Sequence, residues 1–109
     1  MATAVLVSGE GTILEAIAAR TGVDVVVADR PCRALDVAER AHVAVVLADR
    51  AEHGGFSKAF DREGYTRALV GVLDQASVDL VCMAGFGTIL DPLFFDRFGG
   101  RVLNTHPSL

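Results

Sequence analysis

The sequence predicts an α/β domain built around a doubly wound parallel β-sheet. Two observations predict this fold class. Five short apolar runs rich in β-branched residues alternate with four stretches of helical spacing. Most of the apolar runs are continuous, which is typical of strands buried on both faces of a parallel sheet. The order β-α-β-α-β-α-β-α-β favours right-handed crossovers, which place helices on both sides of the sheet.

The predicted strands cover residues 5–7, 23–28, 43–47, 80–83 and 102–103. The first two helices are predicted from apolar positions 13, 14 and 17 and from positions 35, 38 and 41. The third covers about residues 60–76, and the fourth covers residues 92–97, where Pro92 suits the first turn after Asp91. Together these elements predict a Rossmann-like, three-layer α/β/α domain.

The third helix has the clearest two-sided pattern. Tyr65, Leu69 and Leu73 recur every four residues and predict its buried face. Before this helix, residues 50–58 contain two adjacent glycines and predict a mobile loop. The predicted solvent-exposed face of the helix carries four charged residues, Asp61, Arg62, Arg67 and Asp74.

Size and composition exclude several classes of protein. A chain of 109 residues with 51% hydrophobic and 22% charged residues supports one packed domain. The net charge of -4 argues against a sequence-independent nucleic-acid binder, which needs a basic surface. No uninterrupted apolar run reaches about 18 residues, so we expect no membrane partner. No basic segment follows Met1, and the cysteines and histidines lack metal-ligand spacing, so we expect a cytoplasmic protein without a metal site.

A turn that contains two glycines, Ser8-Gly9-Glu10-Gly11-Thr12, joins the first strand to the first helix. Glycines let the backbone approach a ligand closely, and the N–H groups of a helix start favour an anion. One interpretation is a cradle for a single phosphate, built from Gly11, Thr12 and Ile13, in which the charge of Glu10 must point to solvent. Another is a dinucleotide site, for which Asp29 has the right spacing although the third glycine is missing. A third is an ordinary βα turn that needs glycine.

Asn104 and His106 lie two positions apart at the end of the last predicted strand, so their side chains project to the same side. An amide can hold a carbonyl oxygen while a protonated imidazole donates to it as charge develops. Pro107 keeps His106 out of the helical region and holds the strand extended. The pair therefore predicts acyl-type chemistry, and the alternative is that His106 is a hydrogen-bonded structural residue.

Three segments, in this order, carry a resemblance to one family. They are the turn at residues 8–12, Ala84-Gly85-Phe86-Gly87-Thr88-Ile89-Leu90, and Leu103-Asn104-Thr105-His106-Pro107-Ser108-Leu109. Over residues 1–109 the chain resembles the amino-terminal half of the phosphoribosylglycinamide formyltransferases, the folate-dependent transformylases of purine synthesis. The resemblance implies transfer of a formyl group from 10-formyltetrahydrofolate to N1-(5-phosphoribosyl)glycinamide, with small molecules as partners and no metal.

The resemblance also assigns roles to residues of this sequence. Gly11, Thr12 and Ile13 would hold the phosphate of the ribonucleotide. Asn104 would bind the formyl oxygen, and His106 would act as the acid that stabilises the tetrahedral intermediate. The residues expected to contact the folate are Arg62, Gly87, Thr88, Ile89, Leu90 and Asn104.

The sequence departs from the family pattern at three places. Ile13 stands where many relatives have asparagine, so only its backbone N–H is expected to serve. Gly87-Thr88 replaces the usual Met-Arg, which removes a cation near the folate. The aspartate that pairs with the family's histidine would fall beyond Leu109, so residues 1–109 are expected to form an incomplete nucleotide-binding domain, apparently truncated after the fifth strand and slow or inactive alone. The exposed sheet edge is expected to be completed by a second chain or to pair with one.

Two other kinds of function stay open. One remains within formyl-folate chemistry, as a hydrolase of the same donor or a transferase acting on aminoacyl-tRNA, and the acidic net charge disfavours the tRNA substrate. The other is a non-catalytic nucleotide-binding module, which would use the glycine turn and have no need of Asn104 and His106.

Overall fold

The computed structural model describes residues 1–19 and 22–105, the side chain of residue 105 excepted. All five strands are parallel and lie in the order β3-β2-β1-β4-β5, which confirms the doubly wound sheet. The strands are β1 (Thr3–Val7), β2 (Val25–Ala28), β3 (Ala44–Leu47), β4 (Leu80–Ala84) and β5 (Val102–Thr105). The helices are α1 (Thr12–Ala18), α2 (Arg33–Arg40), α3 (Arg62–Gln75) and α4 (Leu93–Phe98), and a 3-10 helix (Arg50–His53) follows β3.

Alternate residues of each central strand face opposite helical layers. In β1, Ala4 and Leu6 pack with the core under α3 and α4, whereas Val5 and Val7 pack with the core under α1 and α2. The sheet therefore separates two hydrophobic cores, and the predicted three-layer architecture is confirmed. The largest fully buried side chains of the α3 and α4 layer are Tyr65, Leu69, Leu73, Phe94 and Phe98.

Helix α3 lies within its predicted span of about residues 60–76, and its start has a local signal. The Asp61 carboxylate accepts a hydrogen bond from the N–H of Gly64 at 2.9 Å and caps the start of the helix. The Tyr65 hydroxyl, at the buried face, donates to the carbonyl of Ala48 at 2.8 Å and ties the helix to the segment after β3. The four charged residues predicted on the opposite face are all exposed, namely Asp61, Arg62, Arg67 and Asp74.

The prediction that the apolar strands are buried on both faces was wrong for β3. This strand lies at one edge of the sheet, beside β2, and Leu47 is 44% exposed. An edge position leaves one side of the strand without a neighbour, so a continuous apolar sequence does not guarantee burial. At the opposite edge, Leu103 of β5 is 56% exposed. A second chain that completes or pairs with the sheet stays a prediction.

Residues 50–58 are not an irregular loop throughout, as the glycines suggested. The Asp49 carboxylate accepts from the N–H of Ala51 at 2.9 Å and starts the 3-10 helix. Gly54 ends it with φ of +102°. A Cβ on Gly54 would lie 2.6 Å from the carbonyl oxygen of Ala59, so this turn needs glycine for close packing.

In the part of the chain that the structure describes, no helix is long and apolar enough to span a lipid bilayer.

Candidate functional site

The best-placed ligand site is the crevice beyond the carboxyl ends of β1 and β4. The strand order proceeds from β1 toward β2 on one side and from β1 toward β4 on the other. Open α/β sheets bind ligands where the order reverses in this way. A cavity of about 140 Å³ lies there, between the glycine turn and the end of β4. It is lined by Gly9, Glu10, Gly11, Thr12, Ile13, Ala84 and Gly85.

A larger groove of about 410 Å³ lies between α1 and α2. Its lining is mostly apolar, with Leu14 and Val37 among its residues, and it belongs to the outer helical layer. Because it lies away from the carboxyl ends of the strands and holds neither the glycine turn nor the residues after β4, we place the site at the smaller cavity.

Gly11 gives the glycine turn its shape. It immediately precedes α1 and has φ of +88°, in the left-handed region. A Cβ on Gly11 would lie 3.0 Å from Cα of Ala34 and 3.0 Å from Cγ2 of Val37. The turn therefore packs directly on α2, and the N–H of Ala34 also donates to the carbonyl of Gly9 at 2.9 Å.

The side chains around this turn are oriented so that backbone N–H groups can face an anion. Glu10 is 80% exposed, and its Oε2 lies 4.0 Å from Nε of Arg33, so its charge is directed to solvent and to a cation. Ile13 is half-buried and packs against the core under α1 and α2, so its backbone alone is available. Thr12 is exposed at the first position of α1, where the N–H groups have no partner within the helix.

The segment at residues 87–90 presents only part of itself to solvent. Gly87 and Ile89 are exposed, whereas Thr88 and Leu90 are buried. The Leu90 side chain belongs to the core under α3 and α4. Arg62, which is exposed at the start of α3, donates from Nη1 to the carbonyl of Ile89. The structure thus places Arg62 against residues 87–90. The surface that they expose together consists of Gly87, Ile89 and the Arg62 guanidinium.

Asp29 is a buried carboxylate at the carboxyl end of β2, and its role was missed by the sequence analysis. It is 0% exposed, and Arg30 donates to its two oxygens from Nε and Nη2 at 2.9 Å each. The Thr88 hydroxyl donates to the same carboxylate. Burial alone raises the pKa of Asp29, but hydrogen bonds from Arg30, Thr88 and Ser8 outweigh it and hold that pKa below its usual range.

This geometry disfavours the dinucleotide interpretation. That interpretation needs the Asp29 carboxylate to bind a ribose diol, yet the carboxylate is buried and already accepts hydrogen bonds from protein groups. One feature of the sequence could have revealed the buried Asp29 carboxylate, because two polar residues each follow a buried strand. Asp29 follows β2 and Thr88 follows β4, and these two strands flank β1.

The lowered pKa of Asp29 predicts how stability depends on pH. A carboxyl group whose pKa is lower in the folded state stabilises the fold above its unfolded pKa of about 3.9, and the contribution is lost as the pH falls through the folded value. The variant Asp29→Asn should therefore be less stable than wild type at pH 7, by about 1–3 kcal/mol. That difference should shrink below about pH 4.

Urea unfolding at pH 7, 5, 4 and 3 measures this difference in the free energy of unfolding. Asp96→Asn is the matched control, because Asp96 is exposed on α4. A loss of stability that is the same at pH 3 and pH 7 would contradict the assignment of Asp29 as a buried anion.

The candidate catalytic residues lie at the end of β5. Asn104 is exposed on this strand and stands beside Met83 of β4 in the parallel register. Because β4 leads into residues 85–90, Asn104 is on the strand next to that segment. His106 lies outside the described residues, so its pairing with Asn104 stays a prediction. Within residues 1–19 and 22–105, no three histidine, cysteine, aspartate or glutamate side chains gather as they would around a metal ion.

Comparison with known proteins finds phosphoribosylglycinamide formyltransferases among the relatives of this chain. A phosphoribosylglycinamide formyltransferase from Mycobacterium tuberculosis is 39% identical in an alignment 111 positions long, which covers 96% of this chain and 49% of that protein. Its counterpart from Escherichia coli K12 is 40% identical in an alignment 112 positions long, which covers 96% of this chain and 50% of that protein. This chain thus spans about half the length of these relatives.

Solved structures agree with this comparison. Phosphoribosylglycinamide formyltransferase from Streptococcus pneumoniae TIGR4 superposes with a TM-score of 0.85 at 31% identity, covering 97% of this chain and 56% of that one. A formyltetrahydrofolate deformylase from Pseudomonas putida KT2440 has a TM-score of 0.79 at 20% identity, which shows likeness of fold alone. The family model described as formyl transferase matches residues 1–109. The chain therefore belongs to the formyl transferase family.

Proposed function

We propose that this chain is the ribonucleotide-binding half of a phosphoribosylglycinamide formyltransferase that works in the cytoplasm on two small molecules. The observation that carries the proposal is the cavity of about 140 Å³ between the glycine turn and the end of β4. It is small, its walls include backbone with little side chain, and it lies where α/β sheets bind their ligands.

A phosphate group is the ligand that this cavity suits. The first turn of α1 offers N–H donors, and the positive end of the helix favours an anion. Gly11 leaves the backbone bare, Thr12 adds an exposed hydroxyl, and Glu10 is directed away to solvent. The phosphate of N1-(5-phosphoribosyl)glycinamide would bind here, with Ile13 contributing its N–H alone.

The formyl donor would lie along residues 87–90 and β5. Ile89, which is 72% exposed, offers an apolar surface, and the neighbouring Arg62 offers a cation. Nη2 of Arg30 lies 3.2 Å from the place of a Gly87 Cβ, but the Asp29 carboxylate already pairs with this guanidinium, so Arg62 is the cation proposed to face the folate. For Thr88 and Leu90, whose side chains are buried, the proposed contacts to 10-formyltetrahydrofolate are through the backbone.

The reaction moves a formyl group from a nitrogen of the donor to the amine of the acceptor. The amine attacks the formyl carbon, and the carbon–oxygen double bond becomes a single bond to a negatively charged oxygen. The Asn104 amide would donate to that oxygen, and protonated His106 would stabilise it as an acid. When the bond to the donor nitrogen breaks, that nitrogen takes a proton and the attacking amine loses one. The aspartate expected to assist His106 lies, by the resemblance, beyond Leu109.

Product analysis tests this proposal against hydrolysis of the same donor. In the whole protein that contains these residues, release of tetrahydrofolate from 10-formyltetrahydrofolate should require N1-(5-phosphoribosyl)glycinamide. The product should be the formylated ribonucleotide, formed in equal amount. Release of free formate without the acceptor would identify a hydrolase. Binding of the ribonucleotide with no release of tetrahydrofolate in its presence would identify a nucleotide-binding module.

A further inference from the structure

A hydrogen-bonded network connects the two loops to which the proposed function assigns the two substrates. At its centre is the fully buried carboxylate of Asp29. The hydroxyl of Thr88 donates to this carboxylate, and a hydrogen bond from Ser8 contributes to the lowered pKa of Asp29. The N–H of Gly87 donates to Oγ of Ser8 at 2.7 Å. Ser8 belongs to the glycine turn and Gly87 to the segment after β4, so the network crosses the crevice from one loop to the other.

We infer that Asp29, Ser8 and Thr88 are positioning residues that hold the phosphate-binding turn and the folate-lining segment in a fixed relation. The inference rests on the proposed function, since it concerns the distance between the two proposed substrates. Formyl transfer needs the amine and the formyl carbon within bonding approach, and a misplacement of about 1 Å costs about 100-fold in rate. A link between the two loops therefore acts on the rate of transfer.

The segment after β4 needs such a link because its own backbone is permissive. It contains Gly85, which has φ of +69°, and Gly87, and both are exposed. A loop with two glycines in three residues has more accessible backbone conformations than one with larger side chains. The Gly87 N–H bond to Ser8 and the Thr88 bond to Asp29 hold two successive residues of this loop to the ends of β1 and β2.

The network also reaches the segment that follows β3. Nη1 of Arg50 donates to Oγ1 of Thr88 at 2.9 Å, and Nε of Arg50 donates to the carbonyl of Gly55 at 2.8 Å. The Arg50 guanidinium lies 4.2 Å from the ring centre of Phe56 and 4.1 Å from that of Phe60. These contacts hold the arginine in one place. Thr88 is thus held from two sides, by Asp29 as acceptor and by Arg50 as donor.

The same bonds determine how these hydroxyls act. The Thr88 hydroxyl has one proton, which goes to Asp29, and it accepts from Arg50, while the residue is 3% exposed. The Ser8 oxygen accepts from the Gly87 N–H at 2.7 Å. The proton of Thr88 is thus not offered to a substrate, and both side chains act on the reaction through the loop that they hold.

Kinetics of Thr88→Val and Thr88→Ser in the whole protein test the inference. Valine keeps the shape of threonine but has no hydroxyl, so kcat for formyl transfer should fall about 10- to 100-fold. The dissociation constant of the ribonucleotide measured without folate should change less than threefold, because the contacts of the glycine turn remain. Thr88→Ser should recover most of the loss, since it keeps the hydroxyl. A merely structural residue would lower the melting temperature without this division between kcat and binding.

Ser8→Ala provides a second variant and a readout that needs no substrate. It removes the acceptor of the Gly87 N–H, so hydrogen exchange at that amide should become at least tenfold faster. Ser57→Ala is the matched control, because the Ser57 hydroxyl also donates once and accepts from one backbone N–H, at Ala59. Exchange at Gly87 should not change in this control.

The outcomes separate the two proposals. If the wild-type protein transfers formyl groups but Thr88→Val keeps its kcat, or if Ser8→Ala leaves Gly87 exchange unchanged, the positioning inference is wrong and the proposed function stands. If the wild-type protein transfers no formyl group to the ribonucleotide, the proposed function fails and the inference fails with it. If Thr88→Val does not fold, Ser8→Ala carries the kinetic test in its place, with the same expected fall in kcat.

Discussion

Replacing His106 by asparagine should lower kcat for formyl transfer about 100- to 10,000-fold, the range that general acid–base groups contribute. Negative charge develops on the formyl oxygen as the acceptor amine attacks. A protonated imidazole can neutralise that charge, whereas the amide of asparagine can only donate a neutral hydrogen bond. Because the proposed phosphate contacts are at Gly11 and Thr12, on the turn after β1, binding of the ribonucleotide should change little.

The measurement compares kcat and the ribonucleotide dissociation constant of His106→Asn with those of His42→Asn. His42 is exposed after α2 and has φ of +60°, a conformation that asparagine tolerates, so this control removes an imidazole without backbone strain. We expect the control to match wild type. A His106→Asn protein with kcat within threefold of wild type would overturn the catalytic role of His106.

Much of the fold could be predicted because its signals are local. The four-residue spacing of Tyr65, Leu69 and Leu73 indicates the buried face of α3. Asp61, which was predicted on the exposed face, proves to be the residue that caps this helix. The glycine turn could be placed at a ligand site because a strand precedes it and a helix follows. In each case the residues that determine the structure are close together in the sequence, so their spacing indicates how they are arranged.

The parts that could not be predicted depend on pairs that are distant in the chain. Asp29 and Thr88 are 59 positions apart, and Arg50 and Thr88 are 38 apart. Nothing local to Asp29 distinguishes a buried acceptor from a ribose-binding carboxylate. For the same reason the continuous apolar sequence of β3 did not reveal an edge strand, because strand order is a property of the whole sheet.

The candidate site shows the same difference between local and long-range signals. The resemblance named Gly11, Thr12 and Ile13, and the structure brings them together around one cavity. It also named Thr88 and Leu90 for the folate, but the spacing of these residues could not show that both side chains are buried. The roles of all these residues in binding are predictions that measurements of ligand affinity test.

Gly11→Ala should have the largest effect on the fold of any single change in the glycine turn. A residue with a Cβ in the left-handed region costs about 1–2 kcal/mol. The added methyl would also meet Ala34 and Val37 of α2, each at 3.0 Å, which is closer than ordinary contact. Overpacking of this kind costs about 1–3 kcal/mol. The expected loss in the free energy of unfolding is therefore about 2–5 kcal/mol, against a typical total of about 5–15 kcal/mol.

Relief of this clash has to move either α1 or α2, and each movement damages the cavity that is proposed to bind the phosphate. If α1 moves outward, the first N–H groups of the helix leave the cavity that Gly11, Thr12 and Ile13 line. If α2 moves, the bond from the Ala34 N–H to the Gly9 carbonyl is lost and the turn loosens. Ribonucleotide affinity should fall at least tenfold in either case, measured by calorimetry at a temperature where the variant is folded.

Gly71→Ala is the control, because Gly71 lies in α3 with open space around it and alanine should stabilise the helix by about 0.5–1 kcal/mol. Gly11→Ala with wild-type stability and wild-type ribonucleotide affinity would mean that the turn does not depend on the left-handed glycine.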